Sequence, residues 1–221
     1  SLPNRPGAAK WAMPAAADHA FAGARRALDG HGFPRVFSGI EAEPIRPVEP
    51  PAPGAASGRG VEAAADSVVR VTGQAAECGR GQQGGGRVAA PERVVTNAHV
   101  LAGVDHPAVQ IGGAGRTYPA TTVAFDPRRD VAVLAVPGLP AEPLPTGPRL
   151  SHGDSIVVAG FPLGGPYDLE TGRVRDLLTA RGQGIDGTSA VDREVYSFRG
   201  RVEQGNSGGP ILSPSGQVVG T

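Results

Sequence analysis

The chain has 221 residues, and its 21 basic side chains balance its 21 acidic ones, so the formal net charge is zero. This balance excludes the strongly basic surface of a nucleic-acid-binding protein, and no stretch approaches the roughly 20 apolar residues of a membrane helix. The 34 glycines and 22 prolines predict an all-β protein with many turns. Because the chain begins at Ser1 rather than Met, we expect it to be a segment of a longer protein.

The first 60 residues differ in composition from the rest and predict a separate N-terminal region. Residues 20–29 have the pattern of a short helix that ends at Gly30. The proline density of residues 43–54 favours an extended, semi-rigid polyproline II conformation. We interpret this stretch as a linker, with an inhibitory propeptide or a ligand for a proline-binding module as the alternatives.

Residues 61–144 predict a first β-barrel made of about six short strands. These strands are expected at 68–72, 87–90, 93–96, 109–111, 117–124 and 131–136. The glycine-rich run 81–86 lacks the lysine and the following helix of a phosphate-binding loop. We therefore predict a mobile loop there, and we expect no metal or cofactor.

Cys78 is the single cysteine of the chain. A lone cysteine is usually a small buried hydrophobic residue. In an exported protein, however, an odd cysteine suggests pairing with another thiol, and a partner beyond Thr221 is the alternative to a buried free thiol.

Residues 145–221 predict a second group of strands, which a proline-rich connection at 139–148 joins to the first. The expected strands are 155–159, 172–180, 195–202, 211–212 and 217–219. Periodicity alone predicts an all-β sandwich or barrel for the two halves.

Three polar motifs accompany these strands. The tetrapeptide 96–99, Thr-Asn-Ala-His, follows the third strand, and Asp130 opens the apolar run 131–136. The hexapeptide 205–210, Gly-Asn-Ser-Gly-Gly-Pro, places Ser207 in a tight turn. Glycine permits the φ angles that aim several amide N–H groups into one hole.

His99, Asp130 and Ser207 are the three side-chain types that activate a serine nucleophile. A serine hydroxyl reacts poorly at neutral pH, but an imidazole can take its proton and later give it to the leaving amine. An aspartate holds that imidazole in one tautomer. Asp126 competes with Asp130 for this role, but it precedes Pro127 and has the pattern of a turn residue.

In the order His, Asp, Ser, these motifs resemble the trypsin-like serine proteases in their bacterial branch. The resemblance implies two six-stranded antiparallel barrels of chymotrypsin type, with the site in the cleft between them. It implies an oxyanion hole formed by the backbone N–H groups of Gly205 and Ser207. It also implies that protein or peptide substrates are the partners. Arg201, Val202 and Gln204 are expected to line one side of the primary specificity pocket.

In this family a substrate-binding segment and a last barrel strand follow the position of Thr221. The second barrel is therefore expected to be incomplete, with one unpaired strand edge. We predict that this segment alone is poorly stable or weakly active. Equal activity of this segment and of a longer chain would refute this prediction.

Further motifs narrow the resemblance to the MarP-type proteases of actinobacteria: the basic helix and Glu-Pro-rich linker, Glu-Cys-Gly-Arg at 77–80 and Val-Ala-Gly-Phe-Pro-Leu at 158–163. This implies a protease on the periplasmic face, tethered to the inner membrane by four helices preceding Ser1, with a role in acid and oxidative stress resistance. It also implies a disulfide of Cys78 with a downstream cysteine and self-cleavage in the linker. Arg87 departs from the pattern, because relatives usually have an apolar residue there.

Two other hypotheses remain. The first is an HtrA-type quality-control protease, which a PDZ domain after the missing strands would identify. The second is a peptide-binding pseudo-protease, whose expected signature is a replaced triad residue, and none is replaced here. The oligomeric state stays open.

Overall fold

The computed structural model describes residues 46–75, 80–185 and 190–221. The predicted helix at 20–29 and the predicted disulfide residue Cys78 lie outside these ranges. Among the helices of the described ranges, none has both the length and the apolar character needed to cross a bilayer.

The described residues form two curled sheets with few helices, which confirms the all-β fold class. The first sheet contains β1 (Val68–Ala75), β2 (Arg80–Ala90), β3 (Arg93–Thr96), β4 (Ala108–Ile111), β5 (Thr117–Pro119), β6 (Thr121–Asp126) and β7 (Val131–Ala135). Its strand order is β5-β4-β1-β2-β3-β7-β6. The predicted strand at 117–124 is divided into β5 and β6 at Ala120, whose N–H donates to the carbonyl of Pro107 at 2.9 Å.

The second sheet has the strand order β10-β9-β8-β11-β12. Its strands are β8 (Ser155–Gly160), β9 (Asp168–Gln183), β10 (Ala190–Gly200), β11 (Ile211–Leu212) and β12 (Val218–Gly220). Neighbouring strands are antiparallel, as they are in the first sheet. Strands β9 and β10 form the longest hairpin of the described chain and pair from 172 with 200 to 183 with 190.

Each sheet has an apolar core of its own. Inward-facing residues such as Val71 and Leu134 fill the first core, and Val157, Phe161 and Leu212 belong to the second. The β9–β10 hairpin crosses between them, because Ile185 at its far end is buried in the first core. Burial of these branched side chains is the main favourable term for both halves.

The prediction of a mobile loop at 81–86 is wrong. This run belongs to β2. Every residue of β2 from Arg80 to Arg87 pairs with β1, with Arg80 opposite Ala75 and Arg87 opposite Val68. Glycine disfavours strands in general, but here the absent side chains let β2 lie directly against the backbone of residues 207–209. Tertiary packing therefore overrides local propensity.

The side chain of Arg87 lies between the two sheets, half-buried. Its Nε donates to Thr221 Oγ1 at 3.4 Å, and burial lowers the pKa of its guanidinium. The unusual arginine is thus accommodated by a polar contact with the second half of the chain.

Part of the predicted linker is packed against the second sheet. Residues 46–50 have no regular secondary structure, and a 3₁₀ turn (Pro53–Ser57) leads into helix α1 (Arg59–Ala64) and a second 3₁₀ turn (Ala65–Ser67). Ala55, Val61 and Ala64 are buried in the second core. The predicted boundary at residue 60 therefore falls inside a segment that is docked on the protein.

Candidate active site

His99 lies on helix α2 (Ala98–Leu101), a single turn that follows β3. Ala98, Val100 and Leu101 are buried in the first core, so the helix is anchored by its apolar side. The His99 side chain is left 16% exposed, which gives the imidazole one face toward solvent.

Asp130 lies at the turn between β6 and β7 and makes two contacts with His99. Its Oδ2 lies 2.7 Å from His99 Nδ1, and its Oδ1 accepts the backbone N–H of His99 at 2.9 Å. The carboxylate is buried, with 6% of the side chain exposed. The pair fixes both the position and the ring orientation of the histidine, as an orienting carboxylate must.

Asp126 has a different role in the same turn. Its Oδ1 accepts the backbone N–H groups of Arg128 and Arg129 at 2.9 and 3.0 Å, and Arg129 also pairs with its Oδ2. Desolvation raises the pKa of this carboxyl, but the hydrogen bonds from Arg129 and Arg128 outweigh it and lower the pKa overall. Asp126 thus stabilises the turn that presents Asp130, which agrees with its interpretation as a turn residue.

Ser207 lies in a loop that is pressed against β2. Its carbonyl accepts the N–H of Gly85 at 2.7 Å, and the neighbouring Gly208 has a φ of +83°. A Cβ at Gly208 would overlap Thr96 Oγ1, and one at Gly85 would lie 2.7 Å from the Cα of Gly209. The glycines are therefore required for the close approach of the two backbones.

Gly205 also occupies the left-handed region, with a φ of +102°. Within the described residues, neither the N–H of Gly205 nor that of Ser207 donates to a protein acceptor. Two amide donors at the serine are therefore not used by a described protein acceptor, and an oxyanion hole requires donors of this kind.

His99 and Ser207 open onto the same cavity of about 660 Å³. Its wall is largely apolar and comes mainly from β9, β10, β11 and β12: Leu177, Val195, Tyr196, Phe198, Ile211 and Val219. Arg149 and Glu194 also line it and form an ion pair at 2.6 Å. The cavity thus joins the histidine–aspartate pair of the first sheet to the serine of the second.

Of the three residues predicted to line the primary pocket, Val202 lines this cavity and is 54% exposed. The Arg201 guanidinium pairs instead with the carboxylate of Glu203. The backbone carbonyl of Gln204 accepts the N–H of Leu163 at 2.7 Å. Neither Arg201 nor Gln204 is among the residues that line the cavity.

The roles of two residues near the site were not predicted from the sequence, although both residues lie in the motifs named above. Asn97 donates through Nδ2 to the carbonyl of Asp130 at 2.7 Å. The backbone N–H of Leu163 donates to the carbonyl of Gln204, the residue before Gly205. The tetrapeptide 96–99 and the hexapeptide 158–163 contain these residues, but a linear motif does not show which backbone group each one meets.

The chain is similar in sequence and in fold to known proteins. A family model described as a trypsin-like peptidase domain matches residues 84–220. The serine protease Rv3671c of Mycobacterium tuberculosis, the MarP protease, is 39% identical over 195 residues, which are 87% of this chain and 49% of that protein. The chain therefore spans about half the length of this relative.

The structural comparison agrees with the sequence comparison. The crystal structure of the Rv3671c protease in its active form superposes with a TM-score of 0.76 and 39% identity, covering 83% of this chain and 81% of that one. A probable periplasmic serine endoprotease of the DegP-like type from Ectopseudomonas mendocina is 31% identical over 135 residues, 60% of this chain and 27% of that protein. The predicted resemblance to the MarP-type proteases is confirmed, and the chain belongs to the trypsin-like peptidase family of serine proteases.

Proposed function

We propose that this chain is the catalytic part of a serine endopeptidase in which Ser207 is the nucleophile. The observation that carries the proposal is the 2.7 Å contact between His99 Nδ1 and Asp130 Oδ2, made by a histidine that shares its cavity with Ser207. An oriented histidine that shares a cavity with a half-buried serine, with two amide N–H groups at that serine that donate to no described acceptor, is the arrangement that acyl transfer needs.

In the proposed reaction, His99 Nε2 takes the proton of Ser207 Oγ while Oγ bonds to the carbonyl carbon of the substrate. The π electrons of that carbonyl move to its oxygen, which the N–H groups of Gly205 and Ser207 stabilise. Collapse of this intermediate breaks the C–N bond, and the amine leaves with the proton from His99. Water then releases the acyl group by the same steps, while Asp130 stabilises the transient imidazolium.

We further propose a cellular setting of the MarP type: an enzyme on the periplasmic face, tethered to the inner membrane outside this segment, that acts in acid and oxidative stress. The support is the 39% identity to Rv3671c, which extends over 87% of this chain. Formation of a disulfide by Cys78 and self-cleavage in the linker belong to this proposal. Arg201, Val202 and Gln204 are proposed to border the primary specificity pocket.

A quality-control protease of the HtrA type is the second candidate. It is supported by the DegP-like relative, which matches 60% of this chain. The MarP type is favoured because its match also covers more of the chain. Digestion of the full natural protein, followed by mass analysis of the stable fragments, distinguishes the two: a protease-resistant PDZ domain after the second sheet favours the HtrA type.

Covalent labelling of the full natural protein by a fluorophosphonate probe, read by intact mass, tests the activity itself. We expect one label per chain, lost in Ser207→Ala and retained in Ser151→Ala, an exposed serine outside the cavity. Absence of labelling in folded protein, under both oxidising and reducing conditions, would overturn the endopeptidase proposal. It would favour the peptide-binding pseudo-protease instead.

A further inference from the structure

The peptide bond between Gln204 and Gly205 is held in one orientation by the turn at 161–165. The carbonyl of Gln204 accepts the N–H of Leu163 at 2.7 Å. No described peptide bond is cis, and in a trans peptide the C=O and the N–H point in opposite directions. The contact with Leu163 therefore directs the N–H of Gly205 away from the turn.

Leu163 adopts a conformation that leucine rarely adopts. Its φ and ψ are 53° and 23°, in the left-handed region that is unfavourable for residues with a Cβ. Its side chain is 76% exposed, so burial of the leucine does not compensate for this conformation. A strained residue persists where its surroundings impose the strain, and here the strained residue supplies the N–H that holds Gln204.

The turn around Leu163 is closed by its own backbone. Gly164 N–H donates to the Phe161 carbonyl at 3.1 Å, and Gly165 N–H donates to the Pro162 carbonyl at 2.8 Å. A Cβ at Gly205 would overlap the Phe161 carbonyl oxygen. The turn and the loop of Gly205 are therefore in close contact, so a shift of the turn is expected to move the loop as well.

Arg70 attaches this turn to the first sheet. It lies on β1, and its Nη2 donates to the Gly165 carbonyl at 2.7 Å. Its guanidinium also lies over the ring of Phe161, 5.2 Å from the centroid, and that ring is buried. Hydrogen bonding and a cation–π contact thus fix both ends of the turn from one side chain.

The environment of Arg70 is unfavourable for a residue with only a packing role. Its Nε is buried and has no hydrogen-bond partner among the described residues. Burial of an unpaired polar atom destabilises the folded state, and an apolar side chain of similar length would avoid this. The arginine is better explained by the contacts that its other atoms make with the turn.

We propose that Arg70 is a positioning residue for the oxyanion hole, acting through the turn at 161–165. Arg70 fixes the turn, the Leu163 N–H holds the Gln204 carbonyl, and the Gly205 N–H is thereby aimed at the substrate oxygen. Without this support the Gln204 peptide can rotate and present its carbonyl in place of the amide. The inference rests on the proposed endopeptidase function, because it assigns a role in the transition state of that reaction.

The test compares Arg70→Met and Arg70→Lys with Arg116→Met in the full natural protein. Arg116 is a matched control, since its guanidinium lies 4.9 Å from the ring centroid of Tyr118 in the first sheet. In Arg70→Met we expect kcat on a peptide ester to fall about 10- to 100-fold, with KM changed less than about twofold. The loss is smaller than that of a deleted oxyanion donor, about 10²- to 10³-fold, because the amide is misaimed rather than removed.

A second readout separates positioning from general destabilisation. A peptide boronic acid forms a tetrahedral adduct with the serine, whereas a peptide product binds in the ground state. We expect the affinity of the Arg70 variant for the boronic acid to fall in parallel with kcat, and its affinity for the product to stay constant. Arg70→Lys keeps the charge and a hydrogen-bond-donating nitrogen, so it should restore part of the loss.

Unchanged kcat and unchanged boronic acid affinity in Arg70→Met would overturn the inference. If Arg70→Met does not fold, the shorter and uncharged variant Arg70→Gln decides: activity and boronic acid affinity equal to those of the wild-type protein overturn it, and a parallel loss of both supports it. Fluorophosphonate labelling of the wild-type protein is measured first. Failure there contradicts the endopeptidase proposal, whereas labelled wild-type protein with a fully active Arg70→Met variant contradicts only the role of Arg70.

Discussion

At the scale of single residues, Asp130 combines a buried carboxylate with an unusual backbone conformation. Its φ is 57°, in the left-handed region that aspartate tolerates better than most residues. The Asn97 side chain donates to its carbonyl at 2.7 Å. This hydrogen bond stabilises the conformation that brings the carboxylate to His99.

We predict that Asn97→Ala lowers kcat about fivefold and leaves the protein folded. A hydrogen bond between neutral groups contributes about 1 kcal/mol, and 1.36 kcal/mol corresponds to about a tenfold change in rate. Steady-state kinetics with a peptide ester and a thermal unfolding scan provide the measurement. Asn97→Asp, which cannot donate to the carbonyl, should be no more active than Asn97→Ala, and recovery of activity in this variant would contradict the assignment.

A second residue-scale prediction concerns Tyr167, which packs against Phe161 with ring centroids 5.9 Å apart. Its hydroxyl is buried and has no hydrogen-bond partner among the described residues. Tyr167→Phe removes this unpaired group, so we expect it to stabilise the fold by up to about 1 kcal/mol. The corresponding rise in the melting temperature is about 2–4 °C, and a lower melting temperature would show that the hydroxyl is satisfied in solution.

The same substitution predicts a change in alkaline stability. Burial, with a smaller effect from Asp168, raises the pKa of Tyr167 to about 12, above its value of about 10 in an unfolded chain. Between these values the unfolded state loses the proton first, so stability falls as the pH rises. Tyr167→Phe lacks this loss, and its stability advantage should grow from pH 10 to 12. An advantage that stays constant over this range would contradict the prediction.

At this scale the sequence predicted the candidate site residues because each lies in a short motif with its own local signal. His99 follows a strand, Asp130 opens one, and Ser207 is surrounded by glycines. The contact between Asn97 and Asp130 could not be predicted in the same way. It joins residues 33 positions apart, and only the alignment of two strands brings them together.

At the scale of elements, the conformation of β2 is determined by its contacts with neighbouring segments rather than by the strand propensity of its own residues. A Cβ at Gly84 would lie 2.6 Å from the Ser207 carbonyl oxygen, and Gly85 is equally close to Gly209. The run 81–86 has few side chains and therefore no alternation of apolar and polar residues. The sequence of this run therefore has no period from which a strand can be predicted. Its strand conformation depends on the long-range pairing with β1.

We predict that Gly85→Ala reduces activity by about 100-fold or more, because the new methyl group displaces the loop of Ser207. Misplacement of reacting groups by about 1 Å has effects of this size. Gly81→Ala is the matched control, since Gly81 lies on the same strand with no atom within 4 Å of its added Cβ. Rates of fluorophosphonate labelling measure both variants, and equal rates for the two would contradict the role of β2.

At the scale of the whole molecule, the segment at 46–67 joins the N-terminal region to the second sheet. Polar contacts cross from this segment to β9 and β10: Arg173 donates to the Pro50 carbonyl, and Arg199 donates to that of Val48. Arg46 pairs with Asp176 at 3.2 Å. The N–H of Leu177, with the Arg46 side chain, lowers the pKa of Asp176. In the same segment, Val61 is fully buried in the second core.

We predict that Val61→Ala destabilises the protein by about 2 kcal/mol, the loss expected for two buried methyl groups with the cavity they leave. Arg46→Ala should cause no measurable change, because exposed ion pairs contribute little. Denaturant unfolding of the full natural protein measures both. A larger effect for Arg46→Ala than for Val61→Ala would show that the segment is held by its charges.

The sequence predicted two all-β halves but could not place this segment. Proline content indicated an extended linker, and residues 46–50 form neither helix nor strand. The small apolar residues at 55, 61 and 64 are few and have no strong period. Which sheet they cover depends on the shape of a surface that forms only when the second half folds.

The placement of Ile185 has a consequence for the order in which the protein matures during synthesis. The first core draws on residues 69–139 and on Ile185 from the second half. A ribosome releases the chain from the N-terminus, so the first sheet remains without one of its large buried side chains until the hairpin has emerged. We therefore expect the first core to complete its packing only after the hairpin has emerged, and a nascent chain that stalls before this point leaves the apolar neighbours of Ile185 uncovered.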